Sequence, residues 1–277
     1  MALLSASGLG LAGCAGPLHE QQVTFAVPHI SGKGLDVEAR NGSISIKRGD
    51  VSDVGIVATL RMVSQDRLAQ AAVTATRGQD GTLIVRAEPP GGAGVWRSRE
   101  GVSFVITVPE ANGVRASSSN GRIIVAGLSG DADLETSNGG VQVGDHDGPA
   151  NVRTSNGGIE LANVAGPVDA RTSNGAIRVA LADHNPGPAN LRTSNGAVSL
   201  EVGPAFAGDL EVRTSNGSIS VPDKRTVPGP YELLSAKRSS AAVRFHGLDG
   251  AGGQTVAAIG RRRAPVTSSS TMLSSQS

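Results

Sequence analysis

The sequence predicts an all-β protein, a parallel β-solenoid-like stack of 18–21-residue repeats with one short helix in the N-terminal part. Three observations predict it. First, one phrase recurs: Thr136-Ser137-Asn138-Gly139 returns at Thr154, Thr172, Thr193 and Thr214, and Ser118-Ser119-Asn120-Gly121 opens the series. From Asn120 the Asn positions step by 18, 18, 18, 21 and 21 residues, and a fixed period of that size marks a repeat architecture. Second, apolar residues alternate on both sides of each Asn. Leu134, Val152, Ala170, Leu191 and Val212 stand four before it, and Val141, Ile159, Ile177, Val198 and Ile219 three after. Period-2 alternation flanking a turn reads as strand, turn, strand. Third, aromatic residues are 2% of the chain while glycines number 38. Thin coils filled by Ala, Val, Ile, Leu and Thr need few large side chains and many turns.

Two structures fit this local pattern. Asn-Gly is the strongest short signal for a two-residue hairpin. In a solenoid, each strand instead pairs in parallel with its counterpart in the next coil. The solenoid explains more, because a hairpin needs only Asn-Gly, yet Thr-Ser-Asn-Gly recurs as a unit. Stacked coils place Thr on Thr and Asn on Asn, and such ladders share hydrogen bonds between like residues. The expected turn ladder is Asn120, Asn138, Asn156, Asn174, Asn195 and Asn216. Gly is expected to supply the positive backbone angle of each turn.

Along the chain, residues 1–13 form an apolar stretch ending in small residues, read as a signal peptide. Leu11-Ala12-Gly13-Cys14 resembles the lipobox of bacterial lipoproteins, which implies cleavage before Cys14 and a lipid on it. Cys14 is the only cysteine, so no disulfide forms within the chain. Residues 14–34 are then anchor and tether. Residues 35–110 read as a β-rich capping part. There Ala39-Arg40-Asn41-Gly42 looks like an isolated earlier member of the repeat, Ser64 caps a short helical segment, and Trp96 packs under a Pro/Gly-rich loop.

Residues 111–221 are the repeat stack. An apolar strand ending in Val108-Pro109, an Asn-Gly turn soon after, and a run of Thr-Ser-Asn-Gly repeats resemble the DUF4097 family of candidate adhesins, the toast-rack repeats. The resemblance spans roughly residues 28–260. It implies a solenoid-like stack on bacterial lipoproteins or membrane-tethered proteins, with no catalytic residue to carry over. Residues 222–260 read as a C-terminal cap, with Tyr231–Ser235 and Ala241–Phe245 as closing strands. Residues 261–277, with Arg261-Arg262-Arg263, read as a disordered tail.

The chemistry expected is sparse. His19, His29, His146, His184 and His246 show no metal-ligand spacing, so no metal and no cofactor are expected. Asp145-His146-Asp147 and Asp183-His184-Asn185 read as polar turn residues. No serine has a distinct environment in a ladder repeated this often, so none reads as a nucleophile. Net charge is +1, which gives no pointer to nucleic acid.

One outward feature stands out. Three residues before each Asn come Glu135, Arg153, Arg171, Arg192 and Arg213; five before come Asp133, Asn151, Asp169, Asn190 and Glu211. Strand parity turns both sets away from the core. The arginines form an outward column that serves as a solvated face or as an anion- or glycan-binding strip. The function read from the sequence is a non-enzymatic, lipid-anchored scaffold or adhesin on the extracytoplasmic side of the envelope. Its partners are the membrane through Cys14 and an envelope glycan or protein. The alternatives are a regulatory, partner-reading envelope protein and a polysaccharide-active β-helix enzyme. The last needs carboxylates converging on one groove, and the acids here are scattered.

Overall fold

The computed structural model describes residues 17–91 and 95–220, and the backbone of 241–245. Its elements run β1 (His19–Val27), β2 (Leu35–Ala39), β3 (Ile44–Arg48), β4 (Val54–Met62), α1 (Gln65–Gln70), β5 (Ala72–Arg77), β6 (Leu83–Glu88) and β7 (Gly101–Val108). The serial repeats follow as strand pairs: β8 (Asn112–Ser118) with β9 (Ile123–Ala126), β10 (Ser129–Thr136) with β11 (Val141–His146), and β12 (Ala150–Thr154) with β13 (Ile159–Val164). After them come β14 (Val168–Thr172) with β15 (Ile177–Leu181), β16 (Ala189–Asn195) with β17 (Val198–Glu201), and β18 (Leu210–Asn216) with β19 (Ile219–Ser220). β20 (Ala241–Phe245) is last.

The strands form two sheets that face one another. Sheet I runs β1-β4-β7-β3-β9-β11-β13-β15-β17-β19, and sheet II runs β20-β18-β16-β14-β12-β10-β8-β2-β6-β5. From β7 to β19, and from β6 to β18, neighbouring strands pair in parallel. Each Asn-Gly therefore connects sheet II to sheet I at a corner. The two strands flanking it do not form a hairpin, and the chain is a parallel β-solenoid.

Register follows the repeat. Thr136, Thr154, Thr172, Thr193 and Thr214 stand opposite one another in succession. The alternating Ala, Val, Ile and Leu of both sheets meet inside and are buried, with Phe104 among the largest fully buried side chains. Fully burying one Val, Ile or Leu side chain contributes about 1.5–3 kcal/mol.

Asn41 is not isolated. β2 and β3 lie directly beneath β8 and β9, with Ala39 opposite Ser118 and Ile44 opposite Ile123. On their other side lie β6 and β7, with Val37 opposite Val85 and Ile46 opposite Ile106. The coil of residues 35–48 thus sits between two coils that come later in the sequence. The chain leaves it after β3, builds β4, α1 and β5, lays down the β6–β7 coil, and passes over to β8. Antiparallel pairing of β4 with β7, β1 with β4, and β5 with β6 ends the parallel run on this side. Residues 19–27, assigned to the tether from the sequence, form strand β1. α1 leads from β4 to β5, with Ser64 as its N-cap and Leu68 buried beneath it.

The longer repeats keep register because their extra residues lie in the corner opposite Asn-Gly. Val168 still pairs with Ala189. Asn185, fully buried, holds that corner: its amide donates to the carbonyls of Val164 at 2.8 Å and Gly166 at 2.7 Å and accepts from Gly187 N–H at 2.7 Å. At the far end β20 pairs antiparallel with β18. Residues 1–16, the segment 222–240 with Tyr231–Ser235, and the tail 261–277 lie outside the described residues, and so does Cys14.

Candidate binding face and turn ladder

Each part of the Thr-Ser-Asn-Gly phrase has its own physical task. The threonine is buried, and its hydroxyl donates to the glycine carbonyl of the preceding coil. The bonds run Thr136 to Gly121 at 2.9 Å, Thr154 to Gly139 at 2.8 Å, Thr172 to Gly157 at 2.9 Å, Thr193 to Gly175 at 2.9 Å and Thr214 to Gly196 at 2.9 Å. Ser118 makes the same bond to Gly42 at 2.8 Å. The asparagines make an exposed amide ladder in which each Nδ2 donates to the Oδ1 of the preceding coil. Distances are 2.5 Å for Asn138 to Asn120, 2.7 Å for Asn156 to Asn138, and 2.8 Å for Asn174 to Asn156. They are 2.8 Å for Asn195 to Asn174 and for Asn216 to Asn195. Asn120 donates likewise to Asn41, whose own amide donates to the Glu100 carbonyl at 2.8 Å.

The glycines correct the sequence reading. Those of the ladder are not in the left-handed region, and among the ladder asparagines only Asn41 has positive φ, at 51°. Close approach is what requires glycine. A Cβ on Gly157 would lie 1.8 Å from the Gly139 carbonyl oxygen, and one on Gly121 would lie 1.7 Å from that of Gly42. Corners stacked this tightly have no room for a side chain.

The outer face of sheet II carries the charged columns. Glu135, Arg153, Arg171, Arg192 and Arg213 are in register, as are Asp133, Asn151, Asp169, Asn190 and Glu211. Parallel strands space the members ~4.8 Å apart. The two columns engage each other. Arg171 pairs with Asp169 at 2.6 Å, Arg192 with Glu211 at 2.9 Å, and Arg213 also with Glu211. Arg115 lies 3.4 Å from Asp133. Arg153 is exposed and, among the described residues, has no ion pair. At the acid–amide column lies an open groove of about 570 Å³, lined among others by Pro149, Pro167, Pro188, Asp133, Asn151, Asp169 and Asn190. Within it the Oδ1 atoms of Asn151, Asp169 and Asn190 are buried without a hydrogen-bond partner.

At the foot of the ladder, Glu100 is fully buried and ion-paired with Arg67 of α1, whose Nη2 lies 2.6 Å from Glu100 Oε2. That hydrogen bond, with backbone donors from Arg97 and Val63, outweighs burial and holds the Glu100 carboxyl down at about 2. No group of three or more His, Cys, Asp or Glu among the described residues is placed to hold a metal. His146, read from sequence as a turn residue, points inward instead. It is 1% exposed, aligned with Val164 of the next coil, and neither ring nitrogen has a partner.

The family model of Toastrack DUF4097 matches residues 9–243. The chain belongs to this Toastrack family. Solved structures match this chain at low identity. A candidate cell adhesion protein of Clostridium sporogenes is 12% identical, with 74% of this chain and 100% of that one covered and a TM-score of 0.40. A candidate adhesin of Bacteroides fragilis is 14% identical, with 73% and 97% covered and a TM-score of 0.41. A candidate lipid binding protein of Parabacteroides distasonis is 14% identical, with 74% and 97% covered and a TM-score of 0.31. No curated protein matches the sequence. In this toast-rack chain no helix among the described residues is long and apolar enough to cross a membrane.

Proposed function

We propose that the chain is a non-enzymatic scaffold of the cell envelope, anchored by a lipid on Cys14 and facing the extracytoplasmic side, with an adhesin-like binding role. Its binding surface is the outer face of sheet II, and its partner is an envelope glycan or protein. One observation carries this reading: an in-register row of arginine, carboxylate and amide groups beside an open groove. A polymer laid along the rod meets an arginine at four successive coils, Arg153, Arg171, Arg192 and Arg213, and such multiplicity raises avidity without a deep pocket. Arg153, Arg171, Arg192 and Arg213 supply forked donors for oxyanions or hydroxyls. Asp133, Asp169 and Glu211 are each engaged by arginine. They are not set opposite one another as the acid and base of glycoside hydrolysis are, which supports binding over cleavage. The test is to change Arg153, Arg171 and Arg192 together to Ser and measure retention on isolated envelope polymers at low and moderate salt. Reduced retention is expected, and unchanged retention would remove the role of this face.

A further inference from the structure

The β6–β7 connection holds the chain's single tryptophan, Trp96, and the binding face leaves it without a role. This connection stands where other coils turn at Asn-Gly, directly below Asn41, and it is clamped from α1. Arg67 Nη2 donates to the Val95 carbonyl at 2.9 Å and pairs with buried Glu100, which also accepts from the Arg97 N–H at 2.9 Å. The clamp displays Val95 at 80% exposure, with Arg97 exposed beside it and Trp96 half-buried against the core.

A single exposed valine is ordinary on a protein surface. Its position relative to the chain's entry is the informative point. On β4, Met62 stands opposite His19, Arg61 opposite Glu20, and Arg61 also opposite Gly101 at the end of the clamped loop. The chain therefore enters the fold two strands from Gly101, where this loop ends, roughly 10 Å away. Cys14 lies five residues before His19, at most about 18 Å of extended chain. A lipid on Cys14 brings this corner of the rod within reach of the bilayer surface.

We infer that the segment Val95–Arg97, at the foot of the asparagine ladder, is a membrane-contact site. Val95 and the edge of the Trp96 ring enter the interfacial layer, where tryptophan is favoured, and Arg97 meets anionic lipid phosphates. The rod is thereby held by two points, the lipid and this corner, and its free end is aimed away from the membrane. The inference rests on the reading of Cys14 as the lipid-bearing residue, and the test separates the two.

Because Cys14 is the only thiol and Trp96 the only tryptophan, the chain beginning at Cys14 can be coupled to maleimide-bearing phosphatidylcholine–phosphatidylglycerol vesicles. Trp96 emission then reports this site alone, whether or not cells lipidate Cys14. On coupling, a blue shift, quenching by nitroxide-labelled lipid and protection from acrylamide are expected. All three are expected to diminish in V95D and R97S, whose melting temperatures should match the parent because both side chains are exposed. Emission unchanged by coupling, or changed equally in parent and variants, overturns the contact site. Failure of the Cys14 reading shows elsewhere, as a C14S protein that still partitions with cell membranes.

Discussion

The hydroxyl of Thr154 donates a 2.8 Å hydrogen bond to the carbonyl oxygen of Gly139 in the adjacent coil. The bond is buried and recurs at every corner of the serial stack. It ties side chain to main chain where the chain passes between sheets, beside backbone bonds such as Asn156 N–H to the Ser137 carbonyl at 2.9 Å. Thr154→Val keeps the shape and removes the donor. The Gly139 oxygen then loses its partner, and the expected cost is about 1–2 kcal/mol, read from chemical denaturation. Thr154→Ser, which keeps the donor, should cost less; equal losses would mean that packing and not the bond matters.

Gly157→Ala places a methyl 1.8 Å from the Gly139 carbonyl oxygen. Backbone must move, and the strain passes to the coils above and below. A loss of about 3 kcal/mol or more is expected. Gly144→Ala, where nothing lies within 4 Å, is the control and should change the melting temperature little.

Glu100 makes stability depend on acid. Its carboxyl titrates at about 2 in the folded chain against 4.5 ordinarily, chiefly because Arg67 hydrogen-bonds it. The contribution is complete above 4.5 and fades as pH falls through about 2. Glu100→Gln should lower the melting temperature at neutral pH and flatten its fall between those two values. A variant with the same acid slope as the parent would contradict this.

His146 buries two ring nitrogens without partners in a position that Val164 fills in the next coil. His146→Leu should stabilise the chain by about 1 kcal/mol or more, since unpaired buried polar groups cost on that order. A drop in melting temperature would mean that the imidazole makes a contact that leucine cannot replace.

Arg153 is expected to contribute most to binding on the sheet II face, because Arg171, Arg192 and Arg213 each share their charge with Asp169 or Glu211. Arg153→Ser alone should weaken retention on envelope polymers more than Arg192→Ser does, with the gap closing as salt rises. Equal effects would favour the whole row over its unpaired member.

Much of this architecture was legible because the repeats from Asn120 onward have nearly one length, so alignment of the phrases is alignment of the coils. Strand parity alone placed the arginine and acid–amide columns outside. Asn41 was readable as a member of the phrase but not as the neighbour of Asn120. Seventy-nine residues separate them, and they meet only because residues 49–111 fold back beneath. The reason for glycine was hidden as well, since the distance between stacked corners is a property of the assembled coil and not of any turn. His146 looked like a loop residue between two aspartates, and only its register with Val164 shows that it takes a core position. How the arginines pair depends on side-chain reach across and along strands, which periodicity does not report.

The coil holding Asn41 lies between two segments made after it, and this confines where the molecule can change its height. Excising residues 35–48 would leave β6–β7 and β8–β9 facing each other across a gap that neither can close without moving the whole base. Above Ala126 the coils follow one another in chain order. Removing residues 150–167 there would set Thr172 over Thr136 and shorten the rod by one storey. The stem can be lengthened or cut back one unit at a time, while its base comes only as a whole.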